Sequence, residues 1–86
     1  MTYSVAIDPT ALRELQKLAP DVRERISDAI GELSADPRLA GVRKLKGTTN
    51  AYRLRVRDYR VLYTITDRLL CIVVVRVGHR RDVYRG

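Results

Sequence analysis

The sequence predicts an α+β fold in which a helical hairpin packs on a mostly antiparallel four-stranded sheet. One segment of period 2 opens the chain, two segments of helical period follow, and period 2 returns after residue 50. The resulting β-α-α-β-β-β order, without internal repeats, is typical of helices that cover one face of a sheet. A chain of 86 residues is long enough for one small domain, residues 1–86.

The first strand and both helices have clear local signals. The apolar residues Tyr3, Val5 and Ile7 alternate with small or polar ones, as in a half-buried strand. Asp8 suits a helix N-cap and Pro9 the first helical position. The outward-facing residues of the two helices, which include Glu14, are predicted to form a mixed charged surface.

Pro20 separates the two predicted helices, and the second should end before Asp36-Pro37. Residues 37–50 are predicted to be a connection. Three strands follow, with turns at Arg57-Asp58 and Asp67-Arg68. The segment from residue 69 to 77 is apolar on both faces, so it should lie inside the sheet.

Charge is distributed very unevenly along the chain. Residues 1–37 contain four Lys/Arg and seven acidic residues, whereas residues 38–86 contain thirteen Lys/Arg and three acidic residues. This asymmetry predicts a surface that binds a polyanion, with nucleic acid as the leading partner class. The alternative is that these basic residues only keep a sheet soluble.

The composition excludes several other classes of protein. The single cysteine, Cys71, rules out an internal disulfide framework and a cysteine-rich metal site. The apolar runs are too short for a membrane span, and the first residues lack the features of a signal peptide. We therefore expect a cytoplasmic protein that requires no metal or other cofactor.

Three arginines are predicted to share one face of the sheet. If Arg57-Asp58 forms a two-residue turn, Arg55 lies opposite Arg60, and Arg53 shares their face. Like charges directly opposite each other destabilise a sheet, and a bound phosphate would offset this repulsion. The alternative is an edge strand that charge keeps soluble.

The C-terminal segment adds a second group of polar residues. His79, the only histidine, is the side-chain type that gains and loses protons near neutral pH. Tyr84 could stack on a base, or it could simply pack the terminus onto the sheet. Together these residues suit RNA cleavage, in which the substrate supplies the 2′-hydroxyl nucleophile and the protein supplies charge and proton transfer.

Four phrases occur in order in the C-terminal half. They are Arg43-Lys44-Leu45-Lys46-Gly47, Tyr52-Arg53-Leu54-Arg55-Val56-Arg57, Tyr59-Arg60-Val61-Leu62-Tyr63 and Val77-Gly78-His79-Arg80-Arg81-Asp82-Val83-Tyr84-Arg85. In this order they resemble RelE-type toxins of the RelE/ParE superfamily. The resemblance covers nearly the whole chain. It implies a toxin that cuts mRNA in the ribosomal decoding site, and a cognate antitoxin, RelB-like or other, that wraps the toxin.

The resemblance also implies roles for individual residues. Arg60 matches an arginine that stabilises the phosphate, and Arg80 matches one that assists the leaving group, with Arg81 as the alternative. Tyr84 matches the tyrosine that orients the nucleotide. The residues expected to bind substrate are Lys44, Lys46, Arg53, Arg57, Arg81 and Arg85.

The sequence departs from the family at the position of the base. Arg53 and Arg55 stand where the best-known members have lysines, and arginine stays protonated in proteins. His79 is therefore the expected proton acceptor, and the catalytic set becomes Arg55, Arg60, His79, Arg80 and Tyr84. Two other functions remain open: a ParE-like inhibitor of DNA gyrase without nuclease activity, and an inactive relative that only binds RNA or the antitoxin.

Overall fold

In the computed structural model, residues 2–79 form two helices and a five-stranded sheet. The elements are β1 (Ser4–Ile7), α1 (Pro9–Gln16), α2 (Pro20–Ala35), β2 (Arg43–Lys44), β3 (Ala51–Val56), β4 (Tyr59–Thr66) and β5 (Cys71–His79). The strand order is β1-β5-β4-β3-β2, with β1 parallel to β5 and the other pairs antiparallel. The α+β class and the interior position of the last strand are confirmed.

The sheet has one more strand than the sequence predicted. Within the predicted connection, β2 pairs with β3, and Arg43 lies opposite Arg53. The amide of Leu45 donates to the carbonyl of Ala51 at 2.9 Å and closes this short ladder. A two-residue strand is too short to display a period, so the pattern could not reveal it.

The helices cover one face of the sheet. α1 begins where the sequence predicted, and Pro20, predicted to separate the helices, is the first residue of α2. The Asp8 carboxylate accepts a hydrogen bond from the Thr10 amide at 3.3 Å, and Pro9 is the first residue of α1. The buried core combines helical and strand residues; it contains Ala11, Leu15, Ile26, Ile30, Leu33, Leu54, Val61, Tyr63, Ile65, Ile72, Val74 and Val77. Within residues 2–79, the opposite face of the sheet carries no helix and presents the arginines of β3 and β4.

A β-bulge in β5 changes which residues face the helices. The register of β4 against β5 shifts between Leu62 and Tyr63, so Val75 is an extra residue in β5. After an extra residue, every following side chain points to the face opposite to the one that simple alternation gives. Val74 and Val77, which simple alternation would place on opposite faces, are consequently both fully buried.

Glu14 is not a solvent-facing charge, contrary to the sequence prediction. Its carboxylate accepts hydrogen bonds from Nε and Nη2 of Arg76 at 3.0–3.1 Å. It also accepts one from the amide of Val77 at 2.9 Å. Because Glu14 lies on α1 and Arg76 lies next to the bulge, this carboxylate attaches the helix to β5.

A second polar cluster connects Tyr3, which precedes β1, with Asp67, which follows β4. Arg38 makes a two-pronged ion pair with Asp67 at 2.9–3.0 Å, and the Tyr3 hydroxyl donates to the same carboxylate at 2.7 Å. Arg38 also lies 5.2 Å from the centre of the Tyr52 ring. Tyr63 packs on Tyr52, and its hydroxyl donates to the Pro37 carbonyl at 2.7 Å. Tyr52 and Tyr63 therefore have structural roles.

This cluster makes stability depend on pH. Hydrogen bonds from Arg38, and then from Tyr3, lower the pKa of Asp67 to about 2. The lowered pKa means that Asp67 stabilises the fold above about pH 4, and that this contribution is lost as the pH falls towards 2. We expect Asp67→Asn to lower the melting temperature at neutral pH, and the difference from wild type to shrink progressively below pH 4. Thermal unfolding of both proteins at a series of pH values would measure this, and a constant difference would contradict it.

No helix in residues 2–79 is long and apolar enough to cross a membrane.

Candidate functional site

Four arginines form a row on the face of the sheet opposite the helices. Directly opposed residues in a sheet share a face, and the register opposes Arg43 to Arg53 and Arg55 to Arg60. Arg53 and Arg55 are two residues apart on β3, so both pairs lie on the same face. The predicted opposition of Arg55 and Arg60 is confirmed, and Arg43 is an addition. We call these four residues the arginine row.

Arg60 is the most informative member of the arginine row. It lies in β4 between β3 and β5, and it is only partly exposed. Within residues 2–79, its Nε and Nη1 atoms are buried and have no hydrogen-bond partner. Leaving a buried charged donor unsatisfied costs more than about 1–3 kcal/mol, so folding alone does not favour this arrangement. Nε and Nη1 lie on different sides of the guanidinium group, so each could donate to a separate phosphate oxygen.

The turn after β3 holds the side chain of Arg55. Arg57 has a positive φ of 55°, a conformation that residues other than glycine rarely adopt. Its carbonyl accepts a hydrogen bond from Arg55 Nε at 3.0 Å. Nε of Arg55 is therefore engaged with the turn, and its two Nη groups are the ones that a ligand would contact. The exposed side chain of Arg57 lies at the end of the arginine row.

The sheet edge beyond β3 carries an open, cationic groove of about 600 Å³. Basic and apolar side chains line this groove: Val42, Arg43, Lys44, Leu45, Lys46 and Arg53. Arg53 belongs both to this groove and to the arginine row, so the two surfaces are continuous. The structure thus places Lys44 and Lys46 beside Arg53. A single substrate-binding surface, as the sequence predicted for these residues, requires this proximity.

His79 lies at the edge of this surface and not within it. It is opposite Tyr59, and the two rings meet edge to face with their centres 5.7 Å apart. Tyr59 packs against the core, so strand alternation places the His79 side chain on the helix side of the sheet. The sequence predicted one site for His79 and the arginines, but the bulge at Val75 places their side chains on opposite faces of the sheet. His79 remains one rung from Arg60 in the ladder, at the end of β5.

A search of protein-family models gives a match over residues 5–84 to the ParE toxin of the type II toxin–antitoxin system parDE. Toxin RelG of Mycobacterium tuberculosis is 40% identical over 99% of both chains. The mRNA interferase toxin RelE of Escherichia coli K12 is 33% identical over 98% of this chain and 92% of its own. This chain belongs to the RelE/ParE superfamily, among the RelE-type toxins.

A solved structure agrees with this placement of the RelE-type toxin. The toxin–antitoxin complex RelBE2 of Mycobacterium tuberculosis superposes with a TM-score of 0.81 and 34% identity, and covers 93% of this chain and 100% of that one. The resemblance inferred from the four phrases is thereby confirmed. The family model has a ParE description, whereas these relatives have RelE-type names, so the fold alone does not define the target.

Part of the predicted site of this RelE-type toxin lies outside residues 2–79. These residues are Arg80, Arg81, Tyr84 and Arg85, and their assignments stay predictions. Among the described residues, no group of three or more His, Cys, Asp or Glu side chains could hold a metal ion. Arg43 is the site residue that sequence reasoning missed, because no signal distinguished it from other basic residues of the connection.

Proposed function

We propose that this RelE-type toxin is a metal-independent endoribonuclease that cleaves mRNA, acts on the ribosome in the cytoplasm, and so inhibits translation. The carrying observation is the arginine row, in which like charges oppose each other and Arg60 has two buried donors without a partner among the described residues. An RNA phosphate would supply the missing acceptors and neutralise the row. The similarity to the mRNA interferase RelE of E. coli supports RNA as the substrate.

In the proposed reaction, the RNA supplies the nucleophile. The 2′-oxygen forms a bond to phosphorus while the bond from phosphorus to the 5′-oxygen of the next nucleotide breaks. This leaves a 2′,3′-cyclic phosphate, or its ring-opened product, and a free 5′-hydroxyl. Arg53, Arg55 and Arg60 would stabilise the charge that develops on the phosphate oxygens. The cationic groove, with Lys44 and Lys46, would hold the neighbouring backbone, and Arg57 would bind at the other end.

Proton transfer is assigned to the end of β5 and the residues that follow. His79 would accept the proton of the 2′-hydroxyl, which requires the nucleotide to reach over the last rung of the β4–β5 ladder. Arg80, or alternatively Arg81, would stabilise the departing 5′-oxygen, which takes its proton from solvent water. Tyr84 would stack on the base and orient it. Arg85 would add a further phosphate contact.

Single substitutions test the proposed proton-transfer group. We expect His79→Ala to slow cleavage by about 10²-fold or more, because a positioned acid or base typically contributes about 10²–10⁴-fold. Tyr84→Phe should slow it as well, since it keeps the stacking ring but loses the hydroxyl that would hydrogen-bond to the base and orient it. Mapping of mRNA ends and growth after induction would measure both effects. If both variants remain as active and as growth-inhibitory as wild type, these assignments are wrong.

A ParE-like activity against DNA gyrase is the second candidate, favoured by the description of the matching family model. Brief induction separates the two functions. An endoribonuclease stops translation quickly and produces cuts within codons of translated mRNA, whereas a gyrase inhibitor produces DNA breaks and the SOS response. Harmless expression without an antitoxin would instead indicate an inactive relative.

We further propose that a cognate antitoxin, RelB-like or of another family, binds this toxin. The net charge of +7 favours an acidic partner segment that competes with RNA for the basic face. The RelBE2 complex of M. tuberculosis supports this pairing. Coexpression with the cognate antitoxin should restore growth and block cleavage.

A further inference from the structure

Gly78 occupies a position in the sheet that no proposed role explains. The register places it directly opposite Arg60, which on its other side lies opposite Arg55. Directly opposed residues share a face, so the rung across β3, β4 and β5 has two guanidinium groups followed by a position with no side chain. Because of the bulge at Val75, Gly78 is on the face of the arginine row rather than on the helix side.

The backbone gives no reason for glycine at this position. Gly41 and Gly47 have positive φ angles, where glycine is favoured, but Gly78 is not among such residues and lies within β5. In a strand interior, glycine destabilises the fold by roughly 0.5–1 kcal/mol relative to alanine. Glycine within a strand often marks a place where a ligand or another backbone approaches closely.

The position of Gly78 adjoins the Arg60 donors that lack partners among the described residues. In an antiparallel pair, opposed β-carbons are roughly 4.5–5.5 Å apart, so a side chain at position 78 would stand beside the Arg60 stem and guanidinium. Nε and Nη1 of Arg60 are already buried among the described residues and lack an acceptor there. An acceptor that reaches them must share the space over this rung, and a β-branched side chain at position 78 would take that space.

We infer that Gly78 determines access to Arg60, because its missing side chain leaves room for the ribose-phosphate backbone of the RNA. The inference rests on the proposed function, since it assigns RNA as the ligand of Arg60. The alternative occupant is protein, and the test below distinguishes the two. Gly78 is on this account a positioning residue, which acts by leaving space and not by contacting the reacting atoms.

A series of side-chain sizes at position 78 tests this inference. The variants are Gly78→Ala and Gly78→Val, with Gly31→Ala as the matched control, since a β-carbon at Gly31 meets nothing within 4 Å. The probe is a short mRNA on a programmed ribosome, with a 2′-deoxy nucleotide at the cleavage position so that it binds without being cut. Cleavage of the ordinary mRNA and the melting temperature are measured in parallel.

We expect Gly78→Val to weaken binding of the uncleavable mRNA and to slow cleavage by about tenfold or more, with Gly78→Ala in between. The melting temperature should stay level or rise, since valine favours strands. Wild-type binding and cleavage by Gly78→Val would overturn the inference, and the proposed function would stand. Loss of activity together with a lowered melting temperature would also overturn it, because protein then fills the space. If wild type itself cuts no mRNA, the proposed function and the inference both fail.

Discussion

Arg60→Met should reduce mRNA cleavage by about 10²–10³-fold, the usual cost of removing a donor that stabilises a developing negative charge. The same substitution should leave the free energy of unfolding unchanged or raise it by about 1 kcal/mol. Methionine has a similar length but no donors, so it removes the penalty of the buried Nε and Nη1 atoms. Single-turnover cleavage of mRNA on programmed ribosomes and urea unfolding would measure the two effects.

The Arg60 test is specific because cleavage should fall while the free energy of unfolding stays unchanged or rises. Arg68→Met is the matched control, because Arg68 is exposed in the turn between β4 and β5, at the far end of the sheet from Arg60. The control should retain cleavage within about threefold of wild type. A destabilised Arg60→Met protein, or one that cleaves at the wild-type rate, would show that Arg60 is a structural residue and that the arginine row does not hold the scissile phosphate.

The arginine row was partly predictable because a short turn fixes a register. Once Arg57-Asp58 forms the turn, the positions of Arg55 and Arg60 follow from the pairing alone, and they lie opposite each other in the structure. Arg43 could not be predicted in the same way. Its strand has two residues, and its pairing with Arg53 depends on the whole connection folding back on β3.

The position of His79 shows where alternation alone fails. Counting by twos along β5 from the buried Ile72 and Val74 would place His79 on the arginine face and Gly78 among the core residues. The extra residue at Val75 reverses both positions, and the ring of His79 meets Tyr59 instead. A bulge within a run of valines has no sequence signal. Which residues lie on the same face as the arginine row therefore could not be predicted from alternation along β5. What remained predictable was that polar residues follow a buried strand.

Glu14 was unpredictable for the same reason, and its replacement should have the largest effect on stability. The bulge places Arg76 and the Val77 amide where the carboxylate accepts hydrogen bonds from both. Removing the carboxylate leaves the Arg76 guanidinium and the Val77 amide without this acceptor. The side chains of Arg76 and Glu14 are only 30% and 25% exposed. We expect Glu14→Ala to lower the free energy of unfolding by about 2–4 kcal/mol.

Glu14→Gln separates charge from shape in this prediction. The amide oxygen can still accept from the Val77 amide, but it cannot form the charged pair with Arg76, so the loss should be about half as large. Glu24→Ala, which removes an exposed carboxylate from α2, should change stability by less than about 0.5 kcal/mol. Urea unfolding of the three variants gives these values, and equal losses for Glu14→Ala and Glu24→Ala would contradict the prediction. The helix α1 contacts the sheet through β5, and the bulge in β5 orients both Gly78 and His79. A destabilised Glu14→Ala protein that folds should therefore lose cleavage activity even at temperatures where it remains native.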